Sequence, residues 1–287
     1  MGERSSERVL SDEQPVLSDE HLQINDDEPM KIILIGAGRL ATHLGSALHR
    51  AGHDILQVYS RTQASASALA DKLGTEAVTD LHLLKDDAEV YIFSVKDQVL
   101  GELIPQVCKG REQALFVHTA GSMPMDIFRD AARRYGVLYP MQTFSKERAL
   151  DFSIIPCFVE GSDEATLRTV TLLAESVSTR VMTLTTDRRR YLHLAAVFAC
   201  NFANHCYHLA EDILAQHDIP FDVMLPLIDE TAAKVHELSP EKAQTGPAVR
   251  YDENVIQRQL QLLDGDDTLQ DVYRLMSKSI HQTATKQ

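Results

Sequence analysis

An apolar run that empties directly into a glycine-spaced turn constrains this chain more than any other feature. Lys31-Ile32-Ile33-Leu34-Ile35 is followed by Gly36-Ala37-Gly38-Arg39-Leu40-Ala41 and then by a helical pattern. Gly36 permits the tight turn, Gly38 lets backbone approach a pyrophosphate, and Ala41 is small enough for helix to pack on strand. The phosphates then meet the outward-pointing amides of a helix N-terminus. Strand before and helix after turn a generic glycine pattern into a dinucleotide signature, with Gly36, Gly38, Arg39 and Leu40 at the cofactor.

The alternation that follows predicts an α/β fold: a Rossmann-type doubly wound parallel sheet followed by an all-helical C-terminal domain. Strands are expected at Lys31–Ile35, Asp54–Tyr59, Val90–Val95, Leu115–Thr119 and from Gly136 toward Pro140. Ile155–Glu160 and Arg180–Leu184 extend the same sheet. Helices are expected at Arg39–Ala51, Ala64–Leu73, Gln98–Cys108 and Glu164–Ser176. In the first, Leu40, Leu44, Ala47, Leu48 and Ala51 share one face. Strand signals stop after Thr186. One long helical pattern then covers 188–217, followed by Asp222–Leu238, Asn254–Leu263 and Thr268–Ser279. The domains are therefore read as 30–185 and 186–287.

Residues 1–29 are different material, with nine acidic residues against two basic, so half of the formal net charge of −14 lies in a tenth of the chain. This segment lacks the apolar core of a signal peptide and is too acidic for a transit peptide, which predicts a disordered acidic tail. Met30, just before the first strand, is an expected true or alternative start. The negative charge argues against nucleic acid or an anionic membrane as partner. No run reaches membrane length. Cys108, Cys157, Cys200 and Cys206 show neither CxxC pairing nor ligand spacing and read as reduced, mostly buried thiols of a cytoplasmic protein.

The choice of dinucleotide is written at the end of the second strand. An NAD site there carries an acid for the ribose 2′-hydroxyl. This chain has Tyr59-Ser60-Arg61-Thr62 instead, where Arg61 offers a planar donor fork and Ser60 and Thr62 offer hydroxyls to a 2′-phosphate. The expected cofactor is NADP. The alternative is that Ser60 and Thr62 cap the next helix while Arg61 is solvated. Later strand ends place Ser94, Val95 and Lys96 beside the ribose, and His118, Thr119, Ala120, Gly121 and Ser122 near the nicotinamide.

The cofactor supplies hydride, so the protein must orient an acceptor and manage one proton. At about 100° per residue, His193, Cys200, Asn201, Asn204 and His208 form one polar arc on the long helix. His193 is the expected proton donor and Asn201 or Asn204 the group holding a carbonyl or imine. The arc is otherwise a solvated face or a dimer contact. His205 and His208 lack a third ligand at a telling spacing, so no metal is expected. In Ser239–Tyr251, Gly246 and Pro247 aim Arg250, which either clamps a substrate carboxylate or anchors the loop.

Several segments together carry a resemblance: Gly36-Ala37-Gly38, Ser60-Arg61, His118–Ser122, Tyr139-Pro140-Met141-Gln142-Thr143-Phe144-Ser145, Ala195–Phe202 and Thr245–Arg250. The chain resembles a bacterial family of Rossmann-like proteins with a helical C-terminal domain of unknown function, commonly labelled NADP oxidoreductases. The wider group is similar to pyrroline-5-carboxylate reductase, deazaflavin-dependent NADP reductase and β-hydroxyacid dehydrogenases. The resemblance implies a helical domain that dimerises and a substrate cleft between domains. One departure is Tyr139-Pro140, where the family pattern has His-Pro. The expected activity is NADP-dependent oxidoreduction of a small, carboxylate-bearing imine, ketone or hydroxy acid by a homodimer. The alternative is a non-catalytic NADP(H)-binding sensor or scaffold.

Overall fold

The strands of the first unit form one eight-stranded sheet, ordered β3-β2-β1-β4-β5-β6-β7-β8. They are β1 Lys31–Ile35, β2 Asp54–Tyr59, β3 Glu76–Val78, β4 Val90–Phe93, β5 Leu115–His118, β6 Arg134–Pro140, β7 Cys157–Gly161 and β8 Val181–Thr183. The computed structural model describes residues 28–145 and 148–286. Most of the expected tail, 1–29, therefore lies outside the described residues. The first six strands run parallel, whereas β7 pairs with β6 antiparallel and β8 follows β7 in parallel. Crossovers are carried by α1 Arg39–Arg50, α2 Gln63–Leu73 and α3 Asp97–Cys108, with α4 Glu164–Glu175 between β7 and β8.

Strand alternation divides the core into two layers. Ile32 and Leu34 face one side with Leu44, Leu48, Leu69, Leu73, Val170 and Leu173 from α1, α2 and α4. Ile33 and Ile35 face the other with Leu100, Ile104 and Val107 from α3 and with Phe128. Both faces of a parallel sheet are covered, so its strands read as continuous apolar runs. One buried histidine ties the start of this framework: His53 Nδ1 accepts from the Met30 amide at 3.1 Å and its Nε2–H donates to Ser176 Oγ at 2.9 Å. Burial pushes its imidazole below the usual value.

After β8, α5 spans Thr186–Ala196 and runs into a π turn over Val197–Phe202. Compactness divides the chain between Asn201 and Phe202, so α5 goes with the sheet rather than with the second unit that was expected to begin at 186. The second unit holds α6 Ala203–Ala215, α7 Leu225–Glu237, the short α8 Pro240–Ala243 and α9 Pro247–Arg250, α10 Glu253–Gln261 and α11 Asp267–Ala284. Ser239, Asp252 and Asp266 cap α8, α10 and α11 with side-chain acceptors. Only Ile256, Leu260 and Ser277 are buried among its described residues. No described helix is long and apolar enough to cross a membrane.

Candidate functional site

The ends of four adjacent parallel strands open onto a cleft of about 850 Å³. The ladder extends one residue beyond each: Gly36 N–H donates to Tyr59 O, Ser60 N–H to Val78 O, Ser94 N–H to Ile35 O and Thr119 N–H to Phe93 O, at 2.8–3.1 Å. These turns lie level, and their next residues face the cleft, the usual ligand position of an open α/β sheet.

Gly36 has a compulsory role. Its φ is +120°, and a Cβ there would lie 2.3 Å from Ser94 O. Gly38, in contrast, would meet nothing within 4 Å, because its α-carbon borders open cleft. Gly38 also begins α1 with no side-chain cap, and the helix has no acid in its first turn. The first amides of α1 thus retain unspent donors over the cleft, as a diphosphate requires.

Gly36, Gly38, Arg39, Leu40, Ser60, Arg61, Ser94, Val95 and Thr119 all line this cleft. Thr62 does not; it is the N-cap residue of α2, and its hydroxyl donates to Ser65 Oγ at 2.9 Å. Ser65, a turn further along α2, lines the cleft in its place, a position set by helical spacing. The carboxylates there are Asp97 and Glu102, on α3 rather than at the end of β2. Burial pushes the Tyr59 phenol upward; Arg61 draws it back, while Glu102 and Asp80 push it further. The set fits a dinucleotide: amides for the diphosphate, and Ser60, Arg61 and Ser65 together at the end of β2.

His118, expected near the nicotinamide, faces the core because successive strand side chains alternate. Its Nδ1 accepts from the Ala120 amide at 3.2 Å and its Nε2–H donates to Pro124 O at 3.3 Å. Burial, helped by Arg189, lowers its imidazole to about 3, so it stays neutral. Its neighbours Thr119 and Ala120 reach the cleft instead.

His193, on α5, is half-buried, and its Nδ1 lies 3.1 Å from Tyr139 Oη. Both rings press on Gly121, the residue after Ala120: a Cβ there would lie 2.6 Å from His193 Nδ1 and 2.9 Å from Tyr139 Cζ. Behind them Arg189 is fully buried, ion-paired with Glu160 and donating to Met123 O at 2.6 Å. Sequence reading missed Arg189, which sits within Arg188-Arg189-Arg190 and looks like one of three solvated cations. Asn201 is exposed in the π turn. The expected arc from His193 through Asn204 to His208 assumed unbroken α-helix; π bonding over Val197–Phe202 removes that constant phase. Arg250 ends α9 in the second unit and is exposed. Of the cysteines, Cys108 and Cys157 are buried, with thiols pushed up to about 12 and about 11 by burial, whereas Cys200 and Cys206 are exposed.

Known proteins share this fold. A Rossmann-like domain model matches residues 17–141, and a model described as a domain of unknown function, DUF2520, matches residues 155–280. The chain is 52% identical to a Bacteroides fragilis protein described as a putative NADP oxidoreductase, over 88% of this chain and 98% of that one, with a TM-score of 0.86. Fold alone is shared with an imine reductase from Myxococcus stipitatus solved with NADP+, at 16% identity, 89% and 93% coverage and a TM-score of 0.63. The same holds for 1-pyrroline-5-carboxylate reductase from Streptococcus pyogenes, at 12% identity, 88% and 99% coverage and a TM-score of 0.58. No curated protein sequence matches the chain. With both domain models matched in sequence and 52% identity to a relative over 88% of its length, the chain belongs to the family of Rossmann-like proteins that carry the DUF2520 domain.

Proposed function

We propose that this protein is an NADP-dependent oxidoreductase acting on a small polar substrate, an imine, ketone or hydroxy acid that carries a carboxylate. The observation that carries the reading is the cleft over four level strand ends, with uncapped α1 amides on one wall and Arg61 at the end of β2. NADPH, when bound, supplies the hydride. Ser60, Arg61 and Ser65 are the proposed 2′-phosphate contacts; a carboxylate replacing Arg61 would repel that group. Asn201 is proposed to hold the substrate's polar atom, and Arg250, at the end of α9, is proposed as a carboxylate clamp.

The proposed assembly is a homodimer through the helical unit. Support comes from that unit's large apolar side chains, including Leu227, Val235, Leu262 and Leu275, which are at least half exposed in the single chain. Such a set exceeds the scattered apolar exposure normal on a monomer.

Calorimetry with NADPH and NADH tests the cofactor. The wild type is expected to prefer NADPH, and Arg61→Asp to weaken NADPH about 10- to 100-fold, the value of hydrogen bonds to a charged group. Failure of both cofactors to bind at millimolar concentration would remove the enzyme reading. NADPH binding without turnover of any imine, ketone or hydroxy acid in a panel would favour a binding module.

A further inference from the structure

We propose that Tyr139 and His193 form a proton relay at the rim of the nucleotide cleft, with the buried Arg189 guanidinium as its electrostatic anchor; this deepens the oxidoreductase reading and rests on it. The placement comes from Gly121. This residue directly follows Ala120, which lines the cleft, and any side chain there would collide with both His193 and Tyr139. The dyad therefore packs against the strand-end loop that borders the cofactor groove, and only glycine at 121 allows the approach.

Hydrogen bonding orients the pair. Tyr139 is buried, and its hydroxyl meets His193 Nδ1 at 3.1 Å. If the phenol donates, Nδ1 is the acceptor and the imidazole carries its proton on Nε2. That Nε2 has no hydrogen-bond partner among the described residues, which leaves it for a substrate atom.

An isolated neutral imidazole is a poor acid, because giving up its Nε2 proton leaves an anion. A phenol behind it removes that obstacle. As the electronegative atom of the substrate takes the Nε2 proton, Nδ1 takes the phenol proton, and the imidazole ends neutral with its tautomer exchanged. The negative charge comes to rest on the Tyr139 oxygen. Solvent returns a proton through the same imidazole, so the protein shows no net change after a turnover. The two electrons enter with the hydride, whose acceptor carbon passes the electron pair of its multiple bond to the atom that gains the proton.

Arg189 suits the phenolate. It is fully buried, held by Glu160, Thr186 and Met123 O, and its Nε has no hydrogen-bond partner. Its charge draws the Tyr139 phenol downward, against a larger upward push from burial and a smaller one from Cys200. Burial wins, so the phenol holds its proton at rest, as a donor must. Glu160 offsets part of the Arg189 charge, and Arg190 opposes Arg189 from the same helix. A mere packing contact between Tyr139 and His193 requires none of this buried positive charge.

The test uses the full chain labelled with 15N-histidine, in which His193 is one of 12 histidines and is assigned by its loss in His193→Gln. At a pH where imidazoles are neutral, His193 is expected to show a protonated Nε2 and a hydrogen-bonded, unprotonated Nδ1. Tyr139→Phe should move the His193 Nδ1 resonance and leave the other histidines in place. Identical His193 resonances in wild type and Tyr139→Phe would overturn the pair. With a turned-over substrate, His193→Gln should lower kcat about 10²- to 10⁴-fold, with NADPH affinity retained. Tyr139→Phe should lower kcat about 10-fold or more without raising KM, and an unchanged kcat would overturn the relay. Arg189→Lys, which keeps the charge, should retain more of kcat than Arg189→Met; equal loss in both, with both folded, would remove the anchor role. If wild type binds no NADPH, the oxidoreductase reading fails and takes the relay with it, while the NMR result for the pair stands separately.

Discussion

The two units solve the burial problem in opposite ways. In the first, every strand from β1 to β6 carries side chains into one or both packed layers, and α1 to α4 close over them. In the second, six helices bury only three described residues, and Leu227, Leu262 and Leu275 stand more than 60% exposed. A sheet with helices on both faces completes its own core within one chain. Helices of this length leave apolar stripes that need a further surface, since helical stability comes chiefly from packing an amphipathic face. The difference teaches where to look for a partner: the unit whose core is unfinished.

That contrast can be broken by experiment, and the largest expected effect is on assembly. Leu227→Asp together with Leu275→Asp should convert a dimer to monomer in light scattering, since each covered leucine contributes about 1.5–3 kcal/mol. A wild type that is already monomeric would show that the apolar stripes are not covered by a second copy. Next in size, Leu34→Ala in the sheet core should destabilise by about 2–5 kcal/mol in denaturant unfolding. Leu262→Ala, 82% exposed in the single chain, should cost under about 0.5 kcal/mol if nothing covers it. A cost like that of Leu34 would place Leu262 in an interface.

A further effect, carried by buried histidines of the first unit, is read by pH. His53 and His118, both in the first unit, have imidazoles lowered by burial, His118 to about 3. Unfolding restores the ordinary value near 6.5, so the unfolded chain binds protons that the folded chain refuses. Stability is therefore full above pH 6.5 and falls with acid, by up to about 1.4 kcal/mol per pH unit for each such group until its folded value is reached. His53→Gln and His118→Gln should each flatten the loss between pH 6.5 and 5, even where they cost stability at neutral pH. A slope unchanged in both would show that other groups carry the acid sensitivity.

Sequence pattern carried the sheet unit well, for physical reasons. β1 and β2 have the expected bounds because mainly apolar runs ending at Gly36 and Ser60 admit few alternatives. β3 was not foreseen: Glu76–Val78 is a three-residue edge strand, too short to show a period. The reversal of β7 was invisible because alternation carries no strand direction. The π turn was hidden for a similar reason, as backbone hydrogen-bond offset leaves little trace in side-chain type. Of the residues expected at the cofactor, Thr62 falls outside the lining at the start of α2, and His118, Gly121 and Ser122 fall outside it around the end of β5, where only Thr119 and Ala120 reach the cleft. Arg189 and Glu160 were illegible because residue type says "surface" for both, and only the tertiary pairing draws them inside.

The reversed strand β7 has a geometric consequence for α5. Register pairs Glu160 with Val137, two residues before Tyr139 on β6. Helix α5 is fastened to Glu160 near its start, by Thr186 and Arg189, and meets Tyr139 a turn later through His193. It thus climbs alongside β6 toward the carboxyl ends of the strands and works as a ruler, measuring about 6 Å along its axis from Arg189 to His193. Adding or removing one residue between Arg189 and His193 would swing the imidazole by about 100°, so this interval has no tolerance for insertion, whatever its side chains.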